Sequence, residues 1–203
     1  MLDNNSINLG LIAGNMSIMH LGHYKLIERA SQECDGVIIF VSKSGRENIV
    51  GTKVETLWKE YFEPALPNNT KVNLCDNSPI KELYKFIAAN TQKDPNNIAN
   101  KIDYRSYKIY SEITDIRKNF NNLPKYFPSL CEQNKISVVP IQREETCLIS
   151  GKQMRNFIDM DDFNSFKQFL PENVQSQKVW DFIKNKPLVD FIKVVLDISR
   201  VSK

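Results

Sequence analysis

An apolar run, a short loop and an amphipathic segment follow one another within the first 34 residues. Residues 7–13 are mostly apolar and are followed by Gly14, a pattern typical of a strand buried on both faces of a parallel sheet. From His23 onward, apolar side chains return at the spacing of a helix with one buried face: Leu26, Ile27, Ala30 and Cys34. The segment therefore predicts a strand–loop–helix unit.

The same alternation continues along the chain and determines the predicted fold class. Further strand-like runs occupy residues 36–41, 71–74, 107–110 and 135–141, and helical patterns occupy residues 54–65 and a segment that starts at Pro79. Strands that alternate with helices pair in parallel through right-handed crossovers. We therefore predict an α/β protein with three layers, α/β/α, around a five-stranded and mainly parallel sheet.

The chain has only two histidines, and both lie where the first strand meets the first helix, in His20-Leu21-Gly22-His23. Backbone N–H groups and the positive end of the helix dipole attract anions at such a junction. Imidazoles placed there can donate hydrogen bonds to phosphate oxygens, and Gly22 would let the backbone approach a ligand. The alternative is a pair of loop histidines satisfied within the protein.

A second helix start lies well downstream, in residues 149–155. Ser150 and Gly151 form a turn into a predicted helix, and Lys152 and Arg155 are three residues apart, so they share one face. An arginine at this place can hold a phosphate through two parallel hydrogen bonds. Ordinary solvated cations at a helix start are the alternative.

Size and composition exclude several classes of protein. A chain of 203 residues suffices for one domain, and a net charge of +3 with dispersed basic residues gives no case for nucleic acid as the main partner. No apolar stretch approaches the length that spans a bilayer. The cysteines lie far apart, which argues against a zinc site or a disulfide framework and favours the reducing cytoplasm: Cys34, Cys75, Cys131 and Cys147.

The two helix starts together resemble the H-x-G-H nucleotidyltransferase superfamily of adenylyl- and cytidylyltransferases. Residues 14–23 align without a gap to G-x-F-x-P-x-H-x-G-H, and residues 149–155 align to I-S-x-T-x-x-R. Met16 and Ile18 stand at the aromatic and proline positions, and Lys152 stands at the threonine. The resemblance covers residues 7–171, and its wider layout is similar to cytidylyltransferase-like proteins of tailed bacteriophages.

This resemblance implies a Rossmann-like fold and the transfer of AMP or CMP from ATP or CTP to a small phosphorylated metabolite. Pyrophosphate is released, and Mg²⁺ helps to neutralise charge. It implies catalytic roles for His20, His23 and Arg155, and nucleotide binding by Gly14, Gly22, Ser150, Gly151 and Lys152. Lys43 and Arg46 are candidates for the acceptor's phosphate, with solvated loop cations as the alternative.

The end of the chain supplies a second hypothesis. We predict a nucleotidyltransferase-like domain over residues 1–172 and a helical tail over residues 173–203, interrupted at Pro187. This apolar tail either packs back on its own domain or forms a contact in a homo-oligomer or assembly. The second hypothesis is a protein of the same fold with a decayed site, which binds a ligand or serves as a structural component, for example of a phage particle, instead of acting in the host cytoplasm.

Overall fold

A computed structural model describes residues 7–45, 49, 51–91, 104–142 and 147–184. The described residues form five strands, which are β1 (Ile7–Gly14), β2 (Gly36–Ser42), β3 (Thr70–Cys75), β4 (Tyr104–Glu112) and β5 (Ile136–Ile141). All neighbouring strands pair in parallel, in the order β3-β2-β1-β4-β5. The predicted five-stranded sheet is confirmed, and the described sheet is parallel throughout.

Helices connect the strands and cover both faces of the sheet. They are α1 (Leu21–Glu33), α2 (Gly51–Thr56), α3 (Pro79–Thr91), α4 (Ile113–Asn119), α5 (Leu123–Tyr126), α6 (Pro128–Glu132), α7 (Gly151–Asp159), α8 (Phe163–Gln168) and α9 (Ser176–Lys184). After α2 the chain continues as a π-helical turn, Leu57–Phe62, and a 3₁₀ turn, Glu63–Ala65. The single helix predicted over residues 54–65 is therefore three consecutive helical segments.

Two apolar cores lie on opposite faces of the sheet. One core joins the sheet to α1, the π-helical turn and α7 to α9, through side chains such as Ile27, Trp58 and Met154. The other joins the sheet to α3 and the segment after β4, through side chains such as Leu83 and Phe120. These two cores make the molecule a three-layer α/β/α sandwich, as predicted.

The described part of the C-terminal tail packs back on the protein. Helix α9 buries Val179, Trp180 and Ile183 in the same core as α7 and α8. Lys53 on α2 donates a hydrogen bond to the Ile183 carbonyl at 2.8 Å, which fastens the end of α9. Residues 185–203, including the predicted break at Pro187, lie outside the described residues, and the domain boundary at residue 172 stays a prediction.

None of the helices in the described part of the chain has the length and apolar character needed to cross a membrane.

Candidate active site

A cleft of about 380 Å³ opens at the carboxyl ends of β1 and β4. From β1, the chain continues to β2 on one side, whereas β4 pairs with β1 on the other side. The point where strand order changes direction leaves a crevice between neighbouring loops, and ligands of open α/β sheets bind there. Residues from both predicted motifs line this cleft, among them Gly14, His20, Gly22, His23, Ser150 and Gly151.

The two imidazoles form a stacked pair at the start of α1. Their ring centroids are 3.7 Å apart and the ring planes differ by 20°. His20 is the N-cap residue, only 5% exposed, and its Nδ1 accepts a long hydrogen bond of 3.4 Å from the His23 backbone N–H. Because Nδ1 is the acceptor, the geometry assigns the proton of a neutral His20 ring to Nε2.

Gly22 serves the histidine pair by giving space to one of its rings. A Cβ on Gly22 would lie 3.1 Å from Cε1 and 3.2 Å from Nδ1 of His20, tighter than about nine in ten real Cβ contacts, so the ring would have to shift. The sequence predicted that this glycine admits a ligand to the backbone. In the structure, the space left by its missing side chain faces the His20 ring and the Cys147 carbonyl.

Two amides in the first turn of α1 already have partners within the protein. The Leu21 N–H donates to the Phe169 carbonyl at 2.7 Å, and the His23 N–H donates to His20. The contact with Phe169 ties the start of α1 to the end of α8. These two groups do not point at a ligand, so α1 contributes to the cleft chiefly through its imidazoles.

The second helix start places a guanidinium beside Gly151, which lines the same cleft, although Arg155 itself is not among the lining residues. Ser150 and Gln153 form a capping box at the start of α7, with the Gln153 N–H donating to Ser150 Oγ at 3.2 Å. Arg155 is 9% exposed, and its Nη1 lies 3.4 Å from the position of a Cβ on Gly151. Helical side chains point toward the N-terminus, so Arg155 reaches back beside the first turn. Its charge adds to the positive end of the helix dipole next to the cleft.

The remaining predicted site residues lie elsewhere. Lys152 is exposed on the first turn of α7, whereas Arg155 is buried, and like Arg155 it is not among the residues that line the cleft. Lys43 follows β2 and forms an ion pair with Asp76, Nζ to Oδ1 2.6 Å, and this hydrogen bond raises the pKa of the lysine. It does not line the cleft either. Arg46 lies outside the described residues.

Sequence reasoning missed the acidic wall of the cleft. Glu112 and Asp115, at and just after the end of β4, both line it, as do Tyr110 and Ser111. Neither residue belongs to a sequence motif that would single it out. The signal that could have found them is their position, because carboxyl ends of adjacent parallel strands meet at one edge.

Tyr110 supports this wall from inside the protein. Its hydroxyl donates to Glu33 Oε2 at 2.8 Å and lies 3.5 Å from Cys34 Sγ, at the far end of α1. Burial, together with these hydrogen bonds, raises the pKa of the Tyr110 phenol far above its usual range. The side chain therefore stays neutral and fixes β4 against α1.

No residue cluster in the described ranges makes a metal site on its own, since none has three or more His, Cys, Asp or Glu side chains suitably grouped. Mg²⁺ does not require one, because it commonly binds through one or two carboxylates together with substrate phosphates and water. Glu112 and Asp115 are carboxylates of the kind that fit such an ion in the cleft.

No protein-family model and no curated protein matches the sequence. A bifunctional NMN adenylyltransferase/ADP ribose pyrophosphatase from Francisella tularensis resembles the structure with a TM-score of 0.58 at 13% identity, over 96% of this chain and 56% of that chain. The same kind of protein complexed with AMP and a manganese ion gives a TM-score of 0.55 at 12% identity, over 96% and 55%.

A nicotinic acid mononucleotide adenylyltransferase from Plasmodium falciparum, complexed with APC, gives a TM-score of 0.47 at 10% identity, over 91% of this chain and 96% of that one. The present chain spans little more than half of the Francisella chains. The Rossmann-like α/β fold is shared with the Francisella structures. The predicted fold class is thereby confirmed.

Proposed function

We propose that the protein is a nucleotidyltransferase, which transfers a nucleoside monophosphate from a nucleoside triphosphate to a small phosphorylated acceptor. One observation carries the proposal: the helix starts of α1 and α7, far apart in sequence, open on one cleft. His20 and His23 come from the first, and Gly151 with the adjacent Arg155 guanidinium comes from the second. Imidazole, guanidinium and helix-dipole charge in one place match a chain of phosphates.

The roles of the residues follow from their positions. His23, stacked on the buried His20 and lining the cleft, would donate to the α-phosphate. Arg155 beside Gly151, with the Ser150 turn, would hold the β- and γ-phosphates. Lys152 is exposed on the same turn, and from there it would add long-range attraction for the triphosphate.

The reaction is a substitution at phosphorus. An oxygen of the acceptor phosphate attacks the α-phosphorus, the bond to the oxygen that bridges to the β-phosphate breaks, and pyrophosphate leaves with the electron pair. An acceptor phosphate is already ionised near neutral pH, so no protein base is needed. Positioning and donors to the developing negative charge suffice for catalysis of this kind.

Mg²⁺, if it accompanies the triphosphate, would supply positive charge beside the phosphate oxygens, and Glu112 and Asp115 would be the carboxylates that meet it. The same carboxylates repel phosphates that carry no metal, so the triphosphate would enter the cleft as its metal complex.

We keep Lys43 and Arg46 as candidates for the acceptor's phosphate. Lys43 forms an ion pair with Asp76, so acceptor binding would have to replace or extend that ion pair. Nicotinamide mononucleotide, pantetheine phosphate and a sugar or alcohol phosphate are the acceptor classes to test. We further propose that the enzyme acts in the cytoplasm and has no nucleic-acid partner.

The test is release of pyrophosphate from ATP or CTP with Mg²⁺, measured with each acceptor class in turn and paired with thermal unfolding. The proposal expects one triphosphate to raise the melting temperature and to yield pyrophosphate with one acceptor class. Stabilisation without turnover for every acceptor would favour the decayed-site hypothesis, and the absence of both would contradict nucleotide binding altogether.

A further inference from the structure

The loop between β1 and α1 is unusually buried for a connecting segment. Met16, Ser17, Ile18 and Met19 are each at most 4% exposed, and Asn15 alone in residues 15–20 is exposed. Ile18 stands where the resembling family has proline, so no pyrrolidine ring fixes the backbone there. Packing and hydrogen bonds must therefore hold the loop that leads into His20.

One of those hydrogen bonds comes from a distant part of the chain. The indole Nε1–H of Trp58 donates to the Met16 carbonyl at 2.7 Å, and the Trp58 side chain is fully buried. A buried carbonyl needs a donor, because leaving it unpaired costs the free energy of its desolvation. The indole supplies that donor four residues before His20.

The backbone around Trp58 has the rare geometry of a π-helical turn. The turn comprises Leu57–Phe62, and Glu63 follows it directly. The Glu63 N–H donates to the carbonyl of Trp58, which lies five residues earlier in the chain. The Phe62 ring packs edge-on against the Trp58 ring, with centroids 5.5 Å apart. Such turns occur mostly as single turns within helices, often at functional sites. Here the turn and Phe62 fix the indole in the direction of the loop.

We propose that Trp58 is a positioning residue for the phosphate-binding loop, and that it acts on His20 through the Met16 carbonyl. The inference rests on the proposed function for its consequence, since the positioned imidazoles would bind the triphosphate. Trp58 itself touches no substrate. It replaces, through tertiary contact, the conformational restraint that proline would give locally.

The test compares W58F with W180F. These are the only two tryptophans in the chain, and Trp180 packs against Phe163 and Phe166 around α8, in the same apolar core as Trp58. Both changes keep an aromatic ring and remove an indole N–H. The matched pair therefore separates a general loss of packing from loss of the hydrogen bond to Met16.

The first measurement is hydrogen–deuterium exchange of the ligand-free protein. In W58F, the amides of residues 15–20 should exchange about tenfold faster than in the wild type, whereas W180F should leave their exchange unchanged. Equal exchange in this loop for W58F and the wild type would overturn the proposal. This measurement needs no nucleotide, so it tests whether Trp58 restrains the loop even if the proposed function is wrong.

The second measurement is triphosphate affinity, with KM and kcat if turnover is found. W58F should weaken binding about fivefold to tenfold, the effect of losing one buried hydrogen bond, and W180F should change it less than about twofold. Faster loop exchange in W58F with unchanged triphosphate affinity would overturn the link to the site. A wild type that binds no triphosphate would instead contradict the proposed function.

If W58F does not fold, the W180F protein tests the same contact, because Trp58 then supplies its one indole N–H signal by nuclear magnetic resonance. That N–H should be protected from solvent exchange, and its resonance should shift as triphosphate is added. Rapid exchange, or a resonance that does not move at saturation, would overturn the proposal.

Discussion

The helices α1 and α7 both begin at the cleft, but their first turns are built differently. Helix α7 has Ser150 as N-cap and a reciprocal capping box with Gln153. Helix α1 has His20 as N-cap, a residue outside the preferred set, with a long hydrogen bond of 3.4 Å. The residues at the start of α7 are those that stabilise a helix terminus well. The start of α1 has a weaker cap, and the capping side chain is an imidazole that lines the cleft.

The comparison separates residues that stabilise a helix from residues that serve a ligand. In α7 the capping residues stabilise the helix, and the candidate ligand-binding charge is that of Arg155, one turn later. In α1 the cap and the candidate ligand-binding group are the same side chain, His20. A variant of the cap of α7 should therefore lower mainly the stability of the protein. A variant of the cap of α1 should lower ligand binding as well.

His23→Ala should have the largest effect. Loss of a donor to the transferring phosphate should lower turnover on the order of 100-fold, with a melting temperature close to that of the wild type because the ring is only half-buried. Steady-state kinetics and thermal unfolding measure the two quantities. Unchanged turnover at an unchanged melting temperature would remove His23 from the mechanism.

Arg155→Lys should come next, with Lys152→Met as its matched control on the same turn. Lysine keeps the charge but loses the paired hydrogen bonds, so triphosphate affinity should fall on the order of tenfold or more. Lys152 is exposed to solvent, which screens its charge, so its loss should cost about threefold or less. Titration calorimetry compares them, and equal losses would refute the assignment of Arg155.

His20→Asn tests whether the N-cap of α1 also binds the ligand. Asparagine is a preferred N-cap, which offsets part of the packing lost with the buried ring, so unfolding free energy should fall by no more than about 2 kcal/mol. Triphosphate binding should weaken about tenfold, since the partner that stacks on His23 is gone. Full affinity in this variant would mean that His20 is only a cap.

Ser150→Ala tests the other helix start and should give the smallest functional effect. Removing the cap should cost about 1 kcal/mol of unfolding free energy, measured by chemical denaturation. Triphosphate affinity should change by about threefold or less, because the guanidinium of Arg155 remains beside Gly151. A loss as large as that of Arg155→Lys would show that the Ser150 hydroxyl binds the ligand directly.

The fold was predictable from sequence because β1 and β2 are largely apolar runs and strand-like segments alternate with helical ones. The strand around Tyr107 was the weakest pattern, yet β4 lies inside the sheet, where Tyr107 and Tyr110 are each 1% exposed. Polar residues between the aromatic ones obscured its burial. Tyr110 is tolerated there because its hydroxyl reaches Glu33 and Cys34.

The candidate site was predictable only in part. Its motif residues could be found because the chemistry of phosphate binding favours particular residue types at helix starts. The hydrogen bond from Trp58 to the Met16 carbonyl could not be predicted. It joins residues 42 positions apart, and the π-helical turn that carries Trp58 leaves no periodicity in the sequence. The packing of the His20 ring against Gly22 could not be predicted either, whereas the predicted ligand contact of Gly22, which lines the cleft, stays a prediction.

The most direct test of the account is calorimetric titration of MgATP and MgCTP into the wild type, His23→Ala and Arg155→Lys. We expect saturable one-site binding of one triphosphate to the wild type, and a loss on the order of tenfold or more in each variant. Binding that is equally tight in all three proteins would contradict a common phosphate site for the histidines and Arg155. The absence of binding to the wild type would contradict the account as well.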